Sequence, residues 1–212
     1  MRAKILIDVP TTTIERVLVK RTFLSKVLFF GNRLFRHPLV KHGGWHLRTA
    51  AFSDHPAHVL LQTILADSLS DEHHASALTA YYLARGKSVW HAEKKVRDKL
   101  EQYVTRYRNI AESMRGNGYL ADLADDEIGI AIAPDGTFIK VSGGNHRLAI
   151  ARLINLPTVV AEVRFVHRDW LRTQRRERGQ TVPERIVEGL AEYAPRIVPM
   201  GRTVCSASRG CR

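Results

Sequence analysis

Residues 141–154 read VSGGNHRLAIARLI, and this stretch decides how the chain is read. It lies between two strand-like runs, Ile128–Ala133 and Thr158–Val166. A glycine pair leads into Asn145-His146-Arg147, and these polar residues open an apolar helix. A helix N-terminus carries unpaired N–H groups and the positive end of the helix dipole. Glycines ahead of it let an anion come close to the backbone. A histidine and an arginine at the mouth add charge and further donors. Gly143, Gly144, Asn145, His146 and Arg147 together predict a phosphate cradle, which points to nucleotides.

Upstream of the cradle, Ile128, Ile130 and Ile132 alternate as a half-buried strand should. Pro134-Asp135-Gly136 is a turn, since proline presets φ and glycine accepts positive φ. Phe138–Ser142 returns to complete a hairpin. Downstream, Asn155 and Pro157 stop the helix, and Val159, Ala161, Val163 and Phe165 alternate on the next strand. This strand–turn–strand–helix–strand unit predicts a mixed sheet. Asp169 is a candidate cap for a basic helix. Thr181-x-x-Glu184, with Pro183, predicts a last helix to about Tyr193. Ala194–Arg212 reads as a loose tail.

The first half reads differently. Lys4–Val9 is a short strand candidate. Thr12-x-x-Glu15 looks like a capping box that starts a helix toward Phe35, with Leu24, Val27, Leu28, Leu34 and Phe35 at helical spacing. Lys20, Arg21, Lys26, Arg33 and Arg36 fill in between them. A basic amphipathic segment of this kind can touch an anionic membrane surface, so peripheral membrane contact through residues 20–36 is an expectation alongside simple packing. Helices are also expected from Asp54 to Leu65, from Ser70 to Gly86, and from Ser88 to Gly116-Asn117-Gly118. The fold class that follows is α+β. A helical N-terminal lobe, residues 1–115, precedes a small mixed-sheet domain, residues 116–170, and C-terminal helices with a tail, residues 171–212.

The chain of 212 residues is long enough for one good core. No apolar run approaches the ~20 residues that a membrane span needs. No secretory signal opens the chain, and Cys205 and Cys211 make no disulfide framework, so the expected location is cytoplasmic. The formal net charge of +12 favours polyanionic partners such as nucleotides, nucleic acid or anionic glycans. Two histidine groups, one at His42, His46, His55 and His58 and one at Asp71-Glu72-His73-His74, match no strong metal signature. No metal site is assigned to them.

One sequence pattern connects these features. Ile110-Ala-Glu-Ser-Met-Arg-Gly-Asn-Gly-Tyr119, then Asp135-Gly136, then Gly143-Gly-Asn-His-Arg147, in this order of strands and helix, resembles the ParB/sulfiredoxin-like superfamily over about residues 105–167. The resemblance implies that ATP or another nucleotide sits on the Gly143–Arg147 loop. Members differ in what they then do: sulfiredoxins use ATP to rescue an oxidised cysteine, ParB proteins bind CTP and clamp DNA, free serine kinases phosphorylate serine, and some relatives are described as nucleases. Asn145 stands where sulfiredoxins carry the nucleophilic cysteine, so that chemistry is not expected. Gly143 replaces the aspartate of the serine kinase loop, and no helix-turn-helix follows as a ParB clamp requires.

Of the chemistries implied, phosphoryl transfer fits best. It needs positioned phosphates, charge neutralisation and often Mg²⁺ on a carboxylate. The nearest carboxylates are Asp125, Asp126 and Glu127, with Glu127 the first candidate for catalytic base and Asp126 the second. His146 is a candidate phosphate ligand and catalytic group. His167 and Arg168 follow the last strand and are candidates to line the same cleft. The expectation is a nucleotide-dependent phosphotransferase of kinase type, with a small anionic metabolite or a surface-glycan sugar as acceptor. The alternative is a ParB-like nucleotide-gated nucleic-acid binder or nuclease.

Overall fold

The computed structural model describes residues 3–19, 37–66, 69–121, 127–175 and 177–199. Within them lie β1 (Ala3–Pro10), β2 (Arg16–Leu18), β3 (Val40–Lys41), β4 (Thr49–Ala51), α1 (Pro56–Ile64), α2 (Asp71–Ala84) and α3 (Val89–Asn117). β5 (Ile128–Ile132), β6 (Phe138–Ser142), α4 (Asn145–Leu153), β7 (Thr158–His167), α5 (Arg168–Thr173), α6 (Val182–Gly189) and β8 (Arg196–Pro199) follow. The class is α+β. Eight strands form one mixed sheet in the order β4-β2-β6-β5-β7-β1-β8, with β3 also paired to β7.

The sheet is built around the hairpin and its crossover. β5 and β6 are antiparallel, and Asp135 accepts the Thr137 N–H at 3.1 Å to close the turn between them. α4 then carries the chain to β7, which runs parallel to β5, with Ile128 opposite Ala161 and Ile132 opposite Val166. β1 adds to the far edge of β7 and β8 to β1, both antiparallel. β2 runs parallel to β6 on the other side.

Strands therefore come from all three segments that the sequence separates, and the N-terminal part is not a helical lobe apart from the sheet. Two local expectations are corrected in the same way. After a short 3-10 turn, Thr11–Thr13, the chain from Thr12-x-x-Glu15 enters β2 instead of a helix. Ile14 goes fully into the core there, and Arg16–Leu18 finds pairing partners on both sides. Residues 196–199 are an edge strand rather than tail, because β1 offers them an open edge. The basic stretch 20–36, Asp125, Asp126, Cys205 and Cys211 lie outside the described residues.

Alternation along the strands gives the sheet two faces. Ile128, Ile130 and Ile132 of β5, with Ile5, Ile7 and Val9 of β1, join the main core under the helices. Ala131, Ala133, Ile139 and Phe165 face the other way and pack with Trp45 in a second, smaller cluster. α1 buries Ala57, Leu60, Leu61 and Ile64, a stripe at helical spacing, and packs on α4, which buries Leu148–Ala151. Each such Leu or Ile taken from water contributes about 1.5–3 kcal/mol. α2 packs on α1, and the long α3 on α2. Among the described residues, no helix is long and apolar enough to cross a membrane.

Candidate functional site

The glycine loop expected to cradle phosphate lies where β6 ends. Gly143 and Gly144 both take left-handed backbone, with φ 63° and φ 60°. Gly144 has a second constraint: a Cβ there would lie 2.8 Å from Ile128 Cγ1 and 2.9 Å from Ile128 Cα. Only glycine lets the loop lie flat against the start of β5. The first bond of α4 runs from the Leu148 N–H to the Gly144 carbonyl at 2.9 Å, so the N–H groups of Asn145, His146 and Arg147 have no acceptor within the helix.

The N-terminus of α4 is left electropositive. No side chain caps it and no acidic residue stands in its first turn. The helices on either side in sequence are treated differently. Ser88 caps α3, His167 caps α5, and Thr181 with Glu184 forms a full capping box on α6.

Beneath the loop lies Lys140, fully buried. Its ammonium donates to the Ser142 carbonyl at 2.9 Å and to the Gly143 carbonyl. The carbonyls of the loop are thereby turned inward onto a cation. Strand parity was the available signal for this residue: Lys140 shares its face with Phe138, which belongs to the main core.

Arg147 and Glu127 are brought together. Glu127, in the residue before β5, is buried, and Arg147 Nη1 donates to its Oε2 at 3.4 Å. Tyr119, the last residue of the sequence pattern that opens at Ile110, donates its hydroxyl to the same oxygen at 2.9 Å. The Arg147 guanidinium also stands over the Tyr119 ring, 5.5 Å from its centroid. Burial, and the Glu127 carboxylate next, push the Tyr119 phenol pKa well above its usual range, so it stays protonated and can donate to Glu127.

His146 points toward the helical layer. Its ring stacks on Tyr107 at 5.1 Å and leans on Tyr81 at 5.6 Å. Burial, then the charges of Arg85, His55 and Arg106, lower its pKa to about 4. At neutral pH it is an uncharged imidazole, and it offers one N–H instead of the cationic charge that the sequence suggested. Its Nε2 is buried with no hydrogen-bond partner among the described residues. Tyr81, Tyr107, Arg85 and Arg106 were not legible as parts of this site. Tyr107 reads in sequence as one more apolar position of α3, and the others are brought in by packing alone.

His167 and Arg168 do not join the cradle. The loop touches Ile128, at the start of β5, whereas His167 follows Val166, which pairs with Ile132 at the far end. Four strand residues separate the two ends, about 13 Å. His167 is buried and structural: its Nε2 donates to the Gly43 carbonyl at 3.1 Å, and its Nδ1 accepts the Asp169 N–H at 3.1 Å. The first histidine group also divides. His46 packs on His167 beside Trp45, and His55 and His58 pack on Phe52 under the opposite face of the sheet. Among the described residues, no group of three or more His, Cys, Asp or Glu could hold a metal ion.

Comparison with protein-family models, with curated proteins and with solved structures gives no match to this chain. The case for function rests on the site itself.

Proposed function

We propose that this chain binds a nucleotide by its phosphates at the N-terminus of α4 and transfers the terminal phosphoryl group, as a kinase does. One observation carries the reading. The uncapped, acid-free start of α4 follows two left-handed glycines and presents the N–H groups of Asn145, His146 and Arg147, which have no acceptor within the helix. Such an end attracts an anion by donors and dipole together. The Nε2 of His146, in the same turn, is buried with no hydrogen-bond partner among the described residues.

Glu127 is the base in this reading, and Arg147 gates it. Arg147 and Tyr119 both donate to the Glu127 Oε2. A phosphate seated on the loop gives Arg147 a second anion to bind. Glu127, released from Arg147 alone, then takes the proton of an acceptor hydroxyl. The acceptor oxygen attacks the terminal phosphorus, the bridging P–O bond breaks, and the nucleoside diphosphate leaves with the electron pair. Mg²⁺ would ride on the phosphates themselves, and no step here is routed through a protein-held metal.

The first part of α3 carries Lys94, Arg97 and Lys99 among Glu93, Asp98 and Glu101, a solvated face of mixed charge. The test is thermal unfolding against ATP, ADP, CTP and GTP, with and without Mg²⁺. A ligand that binds only the folded state stabilises it by about 2.7 kcal/mol at a hundredfold excess over Kd. Stabilisation by a triphosphate, followed by slow release of its terminal phosphate, is the expected result. No stabilisation by any of the four at millimolar concentration removes the proposal.

A further inference from the structure

A concavity lies at the end of the sheet away from the Gly143–Arg147 loop. A pocket of about 410 Å³ opens between the β5–β6 turn, α5 and the turn after α6. Trp170, Phe138 and Tyr193 line it together with the exposed side chains of Asp135 and Glu192. In a chain with a formal net charge of +12, none of the described residues that line it is basic.

The walls are firmly held. Trp170 is 7% exposed, and Phe138 meets Tyr193 edge-on at 5.0 Å. The Trp170 Nε1–H edge faces Gly136, 3.6 Å from where a Cβ would stand. No hydrogen bond from that N–H occurs within the described residues, although the Trp170 backbone carbonyl accepts from Thr173 and Gln174. An indole donor with no protein acceptor among the described residues therefore borders the pocket, on a residue that is otherwise buried. The Asp135 carboxylate is held ionised by the Thr137 hydroxyl and N–H, at 2.7 Å and 3.1 Å.

Aromatic faces attract cations through the ring quadrupole, and carboxylates at the rim add to that attraction. We propose that this pocket is a binding site for a small soluble organic cation that carries a hydrogen-bond acceptor, such as an amino alcohol or its quaternary analogue. The ammonium sits against Trp170, Phe138 and Tyr193 beneath Asp135 and Glu192, and the acceptor takes the Trp170 Nε1–H. The assignment is independent of nucleotide binding at α4.

The test uses the full chain labelled with ¹⁵N and reads the Trp170 indole N–H cross-peak, assigned with Trp170→Phe. Choline is the probe, and 3,3-dimethylbutan-1-ol, its uncharged isostere, is the control. The expected result is a saturable shift with choline and about tenfold weaker binding of the isostere. Glu192→Gln, at an exposed position, should leave the backbone amide pattern unchanged and weaken choline binding about threefold or more. A Trp170 peak that ignores choline, or equal affinity for the isostere, overturns the proposal, as does unchanged choline affinity in the folded Glu192→Gln protein. Phosphatidylcholine vesicles are the remaining arm. A Trp170 peak that responds to vesicles and not to free choline overturns the assignment to a soluble cation.

Discussion

Protonating His146 should loosen the fold, and the size of the effect follows from its surroundings. The ring is stacked on Tyr107 and its pKa is lowered to about 4, from burial first and then the charges of Arg85, His55 and Arg106. In the unfolded chain the group titrates near its ordinary value of 6.5. The folded state therefore prefers the neutral ring. This contribution is fully present above about pH 6.5 and is lost as pH falls through about 4. At about 1.4 kcal/mol per pKa unit the whole contribution is about 3 kcal/mol, and about 2 kcal/mol of it is gone by about pH 5. The reference is His146→Phe, which keeps an aromatic ring against Tyr107 and cannot titrate. Urea unfolding of both proteins at about pH 7.5 and about pH 5 isolates the term, because carboxylates and the other histidines, including His58 with its own lowered pKa, are common to both. Wild type should lose about 2 kcal/mol more than His146→Phe over that interval. Equal losses in the two proteins would show that the imidazole is not held neutral by this packing.

Four substitutions test the cradle directly. Gly144→Ala places a methyl against Ile128 at a φ of 60° and should cost about 2–4 kcal/mol in urea unfolding, and an unchanged midpoint would mean that the loop is not pressed on β5. Lys140→Met strips a buried donor from the Ser142 and Gly143 carbonyls, with an expected loss of about 2–3 kcal/mol and weaker nucleotide binding; full stability would show that water can replace the ammonium. Arg147→Ala leaves the buried Glu127 without its guanidinium and should destabilise by about 3 kcal/mol, part of which Glu127→Gln in the same chain should restore. Glu127→Gln alone should stop release of the terminal phosphate while sparing nucleotide binding, and full turnover in that protein would place the base elsewhere.

The mixed sheet was legible where local chemistry and long-range packing agree. The Pro134-Asp135-Gly136 turn and the alternating β5 and β7 each carry their signal within a few residues. So does the capping box at Thr181, where the Glu184 carboxylate takes the Thr181 N–H at 2.7 Å. The same pattern at Thr12-x-x-Glu15 misleads because β6 and β4 flank the following residues, and pairing on two sides outweighs a helix start. β8 was hidden for a related reason. Four residues carry little periodicity, and only the open edge of β1 makes Arg196–Pro199 a strand. In the site, the glycine pair and Arg147 were visible because backbone geometry and charge are written in residue type. The tyrosines around His146 come from α2 and α3, and no spacing in the sequence says that these helices reach the start of α4.

The partners of Arg147 and His146 change what the loop can be expected to bind. The sequence suggests two cationic side chains waiting for an anion. In the folded protein one is an uncharged imidazole and the other already faces a buried carboxylate. A ligand anion must therefore draw Arg147 away from Glu127, or share it, and the main-chain N–H groups of Asn145–Arg147 are the donors that stand ready. A weakly charged ligand gains little from that exchange, because Glu127 is nearer and is desolvated. A polyphosphate gains more, since its charge can reach both the helix end and the guanidinium. An anion seated there would also lift the His146 pKa back toward its ordinary value, as any nearby negative charge favours the imidazolium. If a phosphate binds at this helix end, proton uptake at His146 is therefore the expected accompaniment.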